Sequence, residues 1–284
     1  MLKAVLYWVV MSLAALAIGP AAGALVGGLR AADGAGNVTP LTSSAPVLGL
    51  GAGAAALVIA IVASVISARL LGARAAMTVA GIVVAWVAVR TGMPDVLVRR
   101  THGSGVVWPL SIEGLIFGVL AVIGAGLVLR TGTRPRDEEP LFGPEGLKAF
   151  GAGALAAVPI GGVIVYFVAF ETLKLQTIFA ASFAGVGAGA AASLVCSALS
   201  TDRSPTRATL AAFLGMAILA AVGPISVLAA NSTTGALLKS AYAGSYFPLA
   251  APLAFDWIAG AFLGVPIGIG WAGSMLEKHP SPSR

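Results

Sequence analysis

The chain has 284 residues, of which 58% are hydrophobic and 10% charged, with a net charge of +6 and a mean hydropathy of +0.97. Soluble domains average roughly 45–50% apolar and about 25% charged residues, so composition excludes a soluble globular protein. It excludes a disordered chain, which needs low hydrophobicity and high charge, and a disulfide framework, because Cys196 is the only cysteine.

Apolar runs of membrane-spanning length satisfy their backbone in lipid as helices, and a hydrocarbon core about 30 Å thick takes roughly 20 helical residues. The expected fold class is therefore all-α, a polytopic helical membrane protein. Eight runs follow one another, at residues 4–29, 47–68, 75–98, 109–129, 149–170, 175–199, 208–230 and 250–276. The first also has the form of a secretory signal peptide, with Lys3, an apolar stretch from Ala4 to Ile18 and small residues after Gly19-Pro20. Its continuation to Leu29 and its counterpart later in the chain favour a retained span. In the third, only fifteen residues separate Arg74 from Arg90. That stretch is extended through Val98, which puts Arg90 and Asp95 near a membrane surface.

The most charged connection runs from Arg130 to Lys148, carries three prolines and divides the runs four and four. Residues 131–147 are read as a charged cytoplasmic linker between a first four-helix unit (1–130) and a second unit with a short tail (148–284). With the N-terminus inside, one face collects Lys3, Arg69, Arg74, Arg130, Arg134, Arg136, Lys148, Arg203, Arg207, Lys278 and Arg284, against Arg30, Arg90, Arg99, Arg100, Lys174 and Lys239 on the other. That bias predicts both termini cytoplasmic in a cell (inner or plasma) membrane.

The halves share local signatures in the same order. Leu16 to Gly23 (LAIGPAAG) resembles Leu155 to Gly162 (LAAVPIGG), Arg69 and Arg74 match Arg203 and Arg207, and Pro109 to Leu115 (PLSIEGL) matches Pro252 to Ile258 (PLAFDWI). With an even number of spans per unit, the two would form a parallel repeat about an axis along the membrane normal, the arrangement of several transporter folds.

Features that could carry chemistry are few. Pro20, Pro159, Pro224 and Pro266 fall inside apolar runs, where each removes a backbone hydrogen bond and is a candidate helix break. Glycines at four-residue spacing (Gly19, Gly23, Gly27; Gly49, Gly53; Gly114, Gly118; Gly185, Gly189; Gly260, Gly264, Gly268) suit close helix packing, internal or against a partner. Glu113 and Asp256 are the only acids well inside apolar runs, each four residues after a proline and at equivalent places in the two halves. As intramembrane ionisable groups they are the candidate binding residues. If functional, they should face the axis between the halves; if structural, they should cap their own helices or pair with Arg90 or Arg100.

No catalytic residues, metal or cofactor are expected. His102 and His279 lie outside the spans, and no HExxH, Walker A or GxSxG pattern occurs in usable context. The basic residues form no continuous face, so nucleic acid is not a partner; the lipid bilayer is. The leading expectation is a small-molecule or ion permease with a site between the repeats. The alternative is a non-catalytic membrane scaffold or subunit that meets a membrane partner, or a second copy, through glycine-rich helix faces. A polar cavity between the halves would favour transport and a dry packed centre the scaffold.

Overall fold

The computed structural model describes residues 2–132, 143–200 and 204–277. Most of the expected linker, residues 133–142, and the tail from residue 278, with His279, lie outside that set. Among the described residues there is no strand.

Helix α1 (Leu2–Leu13) passes through a π-helical turn (Ala14–Ile18) into α2 (Gly19–Gly27), and Pro20 lies in the first turn of α2. A π turn is one way a helix accommodates a local interruption without ending, and here it directly precedes the proline. Helix α3 (Pro46–Leu71) opens on a proline, which needs no N–H partner at that place, and ends at Gly72. The φ of +87° at Gly72 turns the chain directly into α4 (Ala73–Val89). The remaining elements are α5 (Pro94–Thr101), α6 (Val107–Gly132), α7 (Pro144–Val168), α8 (Lys174–Leu199), α9 (Pro205–Ala230), α10 (Thr234–Tyr242) and α11 (Ala254–Glu277).

Among the described residues, eight helical stretches are long and apolar enough to cross a membrane, which agrees with the eight runs read from the sequence. The third differs in detail. It is two helices, α4 and α5, separated at residues 90–93, because Pro94 disfavours helical backbone in the residue before it and starts a new helix of its own. Arg90 is exposed, whereas Asp95 is buried. Pro159, Pro224 and Pro266 sit inside α7, α9 and α11, each of which continues past its proline.

With consecutive crossings, residues 28–45, 90–106, 169–173 and 231–253 gather at one end, here the cap end, and Gly72, Gly132 and the start of α7 at the other, the linker end. At the cap end α5, α10 and two 3-10 turns (Ser104–Val106 and Pro248–Ala250) close over a second apolar cluster that includes Leu97, Leu110, Leu237, Tyr246 and Leu253. Arg99 pairs with Asp95 at 2.6 Å and lies 5.8 Å from the centre of the Tyr242 ring. Burial, and after it the Asp95 charge, pushes the Tyr246 phenol above its ordinary range.

Helix α11 is central. It packs on α8, α4, α9 and α6, and every residue from Ala251 to Phe262 is buried, Trp257 completely. Trp8, Trp108 and Trp271 are instead exposed. Between two helices in lipid there is no hydrophobic driving force, so contact depends on close approach. Gly260, Gly264 and Gly268 supply it: a Cβ on any of them would run into the α8 backbone at Ala181, Ser182 or Val186. From the other side, a Cβ on Gly189 would lie 2.6 Å from the Val265 carbonyl oxygen.

Replacing Gly264 or Gly268 with Leu should force α8 and α11 apart and destabilise the protein by about 1–3 kcal/mol. Gly273→Leu, with nothing within 4 Å of its Cβ position, should leave the melting temperature unchanged in detergent thermal unfolding.

Candidate functional site

The two candidate acids lie inside the bundle. Glu113 is 1% exposed and Asp256 is 0% exposed, so neither reaches headgroups. The helices that carry them are neighbours, locked by Phe117 of α6 against Phe255 of α11 with ring centroids 4.8 Å apart. Gly53 on α3 makes room for that pair, since its Cβ would lie 2.6 Å from Phe117 and 3.2 Å from Phe255. Glu113 stands one turn before Phe117, and Asp256 directly follows Phe255. The carboxylates therefore sit within about a turn of each other in depth, toward the cap end.

Each acid is held by residues at the passage from the first to the second span of its own half. For Glu113 this is the 28–45 loop. Its Oε1 accepts from the Thr39 hydroxyl at 2.7 Å and from the Leu41 backbone N–H. Thr39 is buried, and its own N–H donates to the Thr42 hydroxyl oxygen at 2.8 Å, which shapes the loop into a tight turn. The loop is pressed into the bundle: a Cβ at Gly49 would strike the Pro40 carbonyl, and one at Gly92 the Asn37 carbonyl. Outside it, Arg100 donates to the Gly36 carbonyl at 3.1 Å and approaches Asp33 at 3.6 Å.

For Asp256 the partner is Lys174, in the first turn of α8. The ammonium donates to Oδ2 at 3.1 Å and approaches Oδ1 at 3.4 Å. Oδ2 also accepts from the Leu253 N–H at 2.8 Å, so Asp256 caps the start of its own helix. Neither Arg90 nor Arg100 takes part: Arg90 packs along Gly23 and Gly27, and Arg100 braces the loop.

Lys174 and Thr39 carry no signal in the sequence that would mark them as site residues. Lys174 reads as a flanking charge before an apolar run, and its partner lies 82 residues away. Of the four prolines, Pro20 adjoins an irregular helical turn, and none is among the contacts of this cluster. Cys196 is buried, its thiol donating to the Ala149 carbonyl at 3.3 Å. Among the described residues, no three His, Cys, Asp or Glu side chains gather in a metal-binding group. The cluster offers hydrogen-bond acceptors and one ammonium, and so could hold a cation, a proton or a basic group, or serve only to tie loops to helices.

Comparison with known protein families, with curated proteins and with solved structures finds no match to this chain.

Breaking a buried ion pair from one side leaves an uncompensated charge, worth about 3–5 kcal/mol, whereas replacing both partners with apolar groups is often neutral. Lys174→Met alone should therefore destabilise strongly, and Lys174→Met with Asp256→Leu should recover most of the loss in detergent thermal unfolding. Glu113→Ala should release the 28–45 loop, seen as faster proteolytic nicking within it.

Proposed function

We propose that this protein is a non-catalytic multi-pass membrane subunit, built from two four-helix repeats around a sealed centre. The observation that carries this reading is the packing where the halves meet. Between α6, α9 and α11 there is a void of only about 10 Å³, lined by residues such as Ala121, Phe213, Ala217 and Trp257. A space of that size holds one water at most, and an apolar lining gives such a water no partners. A solute path would need a polar cavity at this place.

The repeat is supported by the order of neighbours. In the first half the first span packs on the second and third, the second on the third and fourth, and the third on the fourth; the second half repeats that order. Across the halves, the contact of α4 with α11 is the twofold counterpart of the contact of α9 with α6. The contact of α6 with α11 would then lie on the axis. This supports units at 1–130 and 148–284 related by rotation about the membrane normal. Cytoplasmic termini in a cell membrane are the topology favoured by the distribution of Lys and Arg.

The glycine ladders mostly face helices of the same chain, so a partner has to be met elsewhere. The best surface is an apolar groove of about 570 Å³ between α7, α8 and α11, lined by Phe179, Phe183, Gly187, Ala190, Ile267 and Trp271. Small residues at its floor and exposed aromatics at its rim suit an apolar transmembrane helix.

A permease is the second reading, and one observation favours it. Within two residues of the acids along the chain, the buried Ser111 hydroxyl and Trp257 indole N–H have no hydrogen-bond partner among the described residues. Buried polar atoms without partners are uncommon and can mark a place where a ligand binds.

Purification in mild detergent separates the two. The subunit reading expects a stoichiometric membrane partner that is lost on Ala190→Trp, which fills the groove without touching the cluster. A chain that purifies alone, together with solute uptake into vesicles abolished by Glu113→Gln with Asp256→Asn, would instead assign transport.

A further inference from the structure

At the linker end, an open cleft of about 710 Å³ lies where α1 meets the ends of α3 and α6. Among the described residues of the lining the side-chain charges are those of Lys3, Arg69 and Arg130, with Tyr7 beside them and no acid. The three cations are exposed, and among the described residues none of them forms an ion pair. The carbonyl ends of α3 and α6 account for only part of this charge. A helix C-terminus is equivalent to about half a negative charge, so two of them leave roughly two positive charges over.

The geometry points to a binding site for the phosphate of an anionic phospholipid headgroup in this cleft. Arginines at two helix ends supply forked donors suited to phosphate oxygens, and Lys3 adds a mobile charge from a third helix. A lipid fits better than a free phosphate because of what lies one and two turns further into the membrane. On α3, Val62 and Ile66 share the face of Arg69 and are 51% and 58% exposed; on α6, Ile123 and Leu127 share the face of Arg130 and are 55% and 46% exposed. These two helices run in the same direction and touch, Gly124 taking the Ile61 side chain of α3 against it. A headgroup in the cleft would thus place its acyl chains along two neighbouring apolar columns. Basic pockets between transmembrane helices at the membrane surface are the setting in which such headgroups are held.

The test is native mass spectrometry of the full chain, titrated with phosphatidylglycerol, phosphatidylcholine or glycerol 1-phosphate. Phosphatidylglycerol should bind the wild type roughly tenfold or more tightly than it binds Lys3→Gln/Arg69→Gln/Arg130→Gln. Lys replacements at both arginines, Arg69→Lys/Arg130→Lys, keep the charge but lose the forked donors and should bind with an affinity between the wild type and the triple variant, and phosphatidylcholine should not distinguish the variants. Removing the same number of charges at the cap end, with Arg30→Gln/Arg90→Gln/Lys239→Gln, should change the affinity less than twofold. Equal losses in both triple variants, or no loss in the first, would overturn the site. Glycerol 1-phosphate binding as tightly as the lipid would overturn its assignment to a lipid rather than a soluble phosphate ester.

Discussion

Close backbone approach along α11 is the constraint on which the rest of the architecture depends. Lipid competes with apolar side chains for every helix surface, so a central helix is held by van der Waals contact at short range. Gly260, Gly264 and Gly268 let α8 reach that range on one side, and Gly114 and Gly118 do the same for α6 against α9 at Ala220 and Ala217. Once those contacts form, α4, α6, α8 and α9 enclose α11 and its large side chains, Trp257 and Phe262, fill the middle. The high alanine and glycine content is the compositional trace of this arrangement. The same packing leaves a void of only about 10 Å³ between α6, α9 and α11.

Charge is then pushed to the two ends, and it is used differently at each. At the cap end the buried acids meet defined donors: Glu113 receives the 28–45 loop through Thr39 and Leu41, and Asp256 receives α8 through Lys174. An unpaired charge at such depth would be costly, so these contacts fix both connections against the bundle. At the linker end the cations stay exposed in an open cleft, where anions at the membrane surface can reach them.

Much of the architecture was legible because a membrane helix is specified by length and apolarity, and both are local properties. All eight spans could be read that way, and Pro94 after Gly92 and Met93 accounts for the break in the third. Glu113 and Asp256 stood out by the same logic, as charges where hydrocarbon was expected. Their partners were not legible, since Thr39 lies 74 residues from Glu113 and Lys174 lies 82 residues before Asp256, distances bridged only by the assembled bundle. Glycine spacing announced close packing without saying against what. The helices chosen, α8 for the Gly260 ladder and α9 for the Gly114 ladder, follow from tertiary structure.

A sealed centre is the central claim, and thiol accessibility measures it most directly. Single cysteines at Ala121 and Ala217, which line the void between α6, α9 and α11, would be placed in a Cys196→Ala background alongside an exposed reference at Thr101. The folded protein in lipid would be treated with a small water-soluble methanethiosulfonate. The account predicts rapid modification at position 101 and none at 121 or 217 until the protein is denatured. Modification at 121 or 217 at a rate close to that of the reference would mean that water reaches the middle of the bundle and would contradict it.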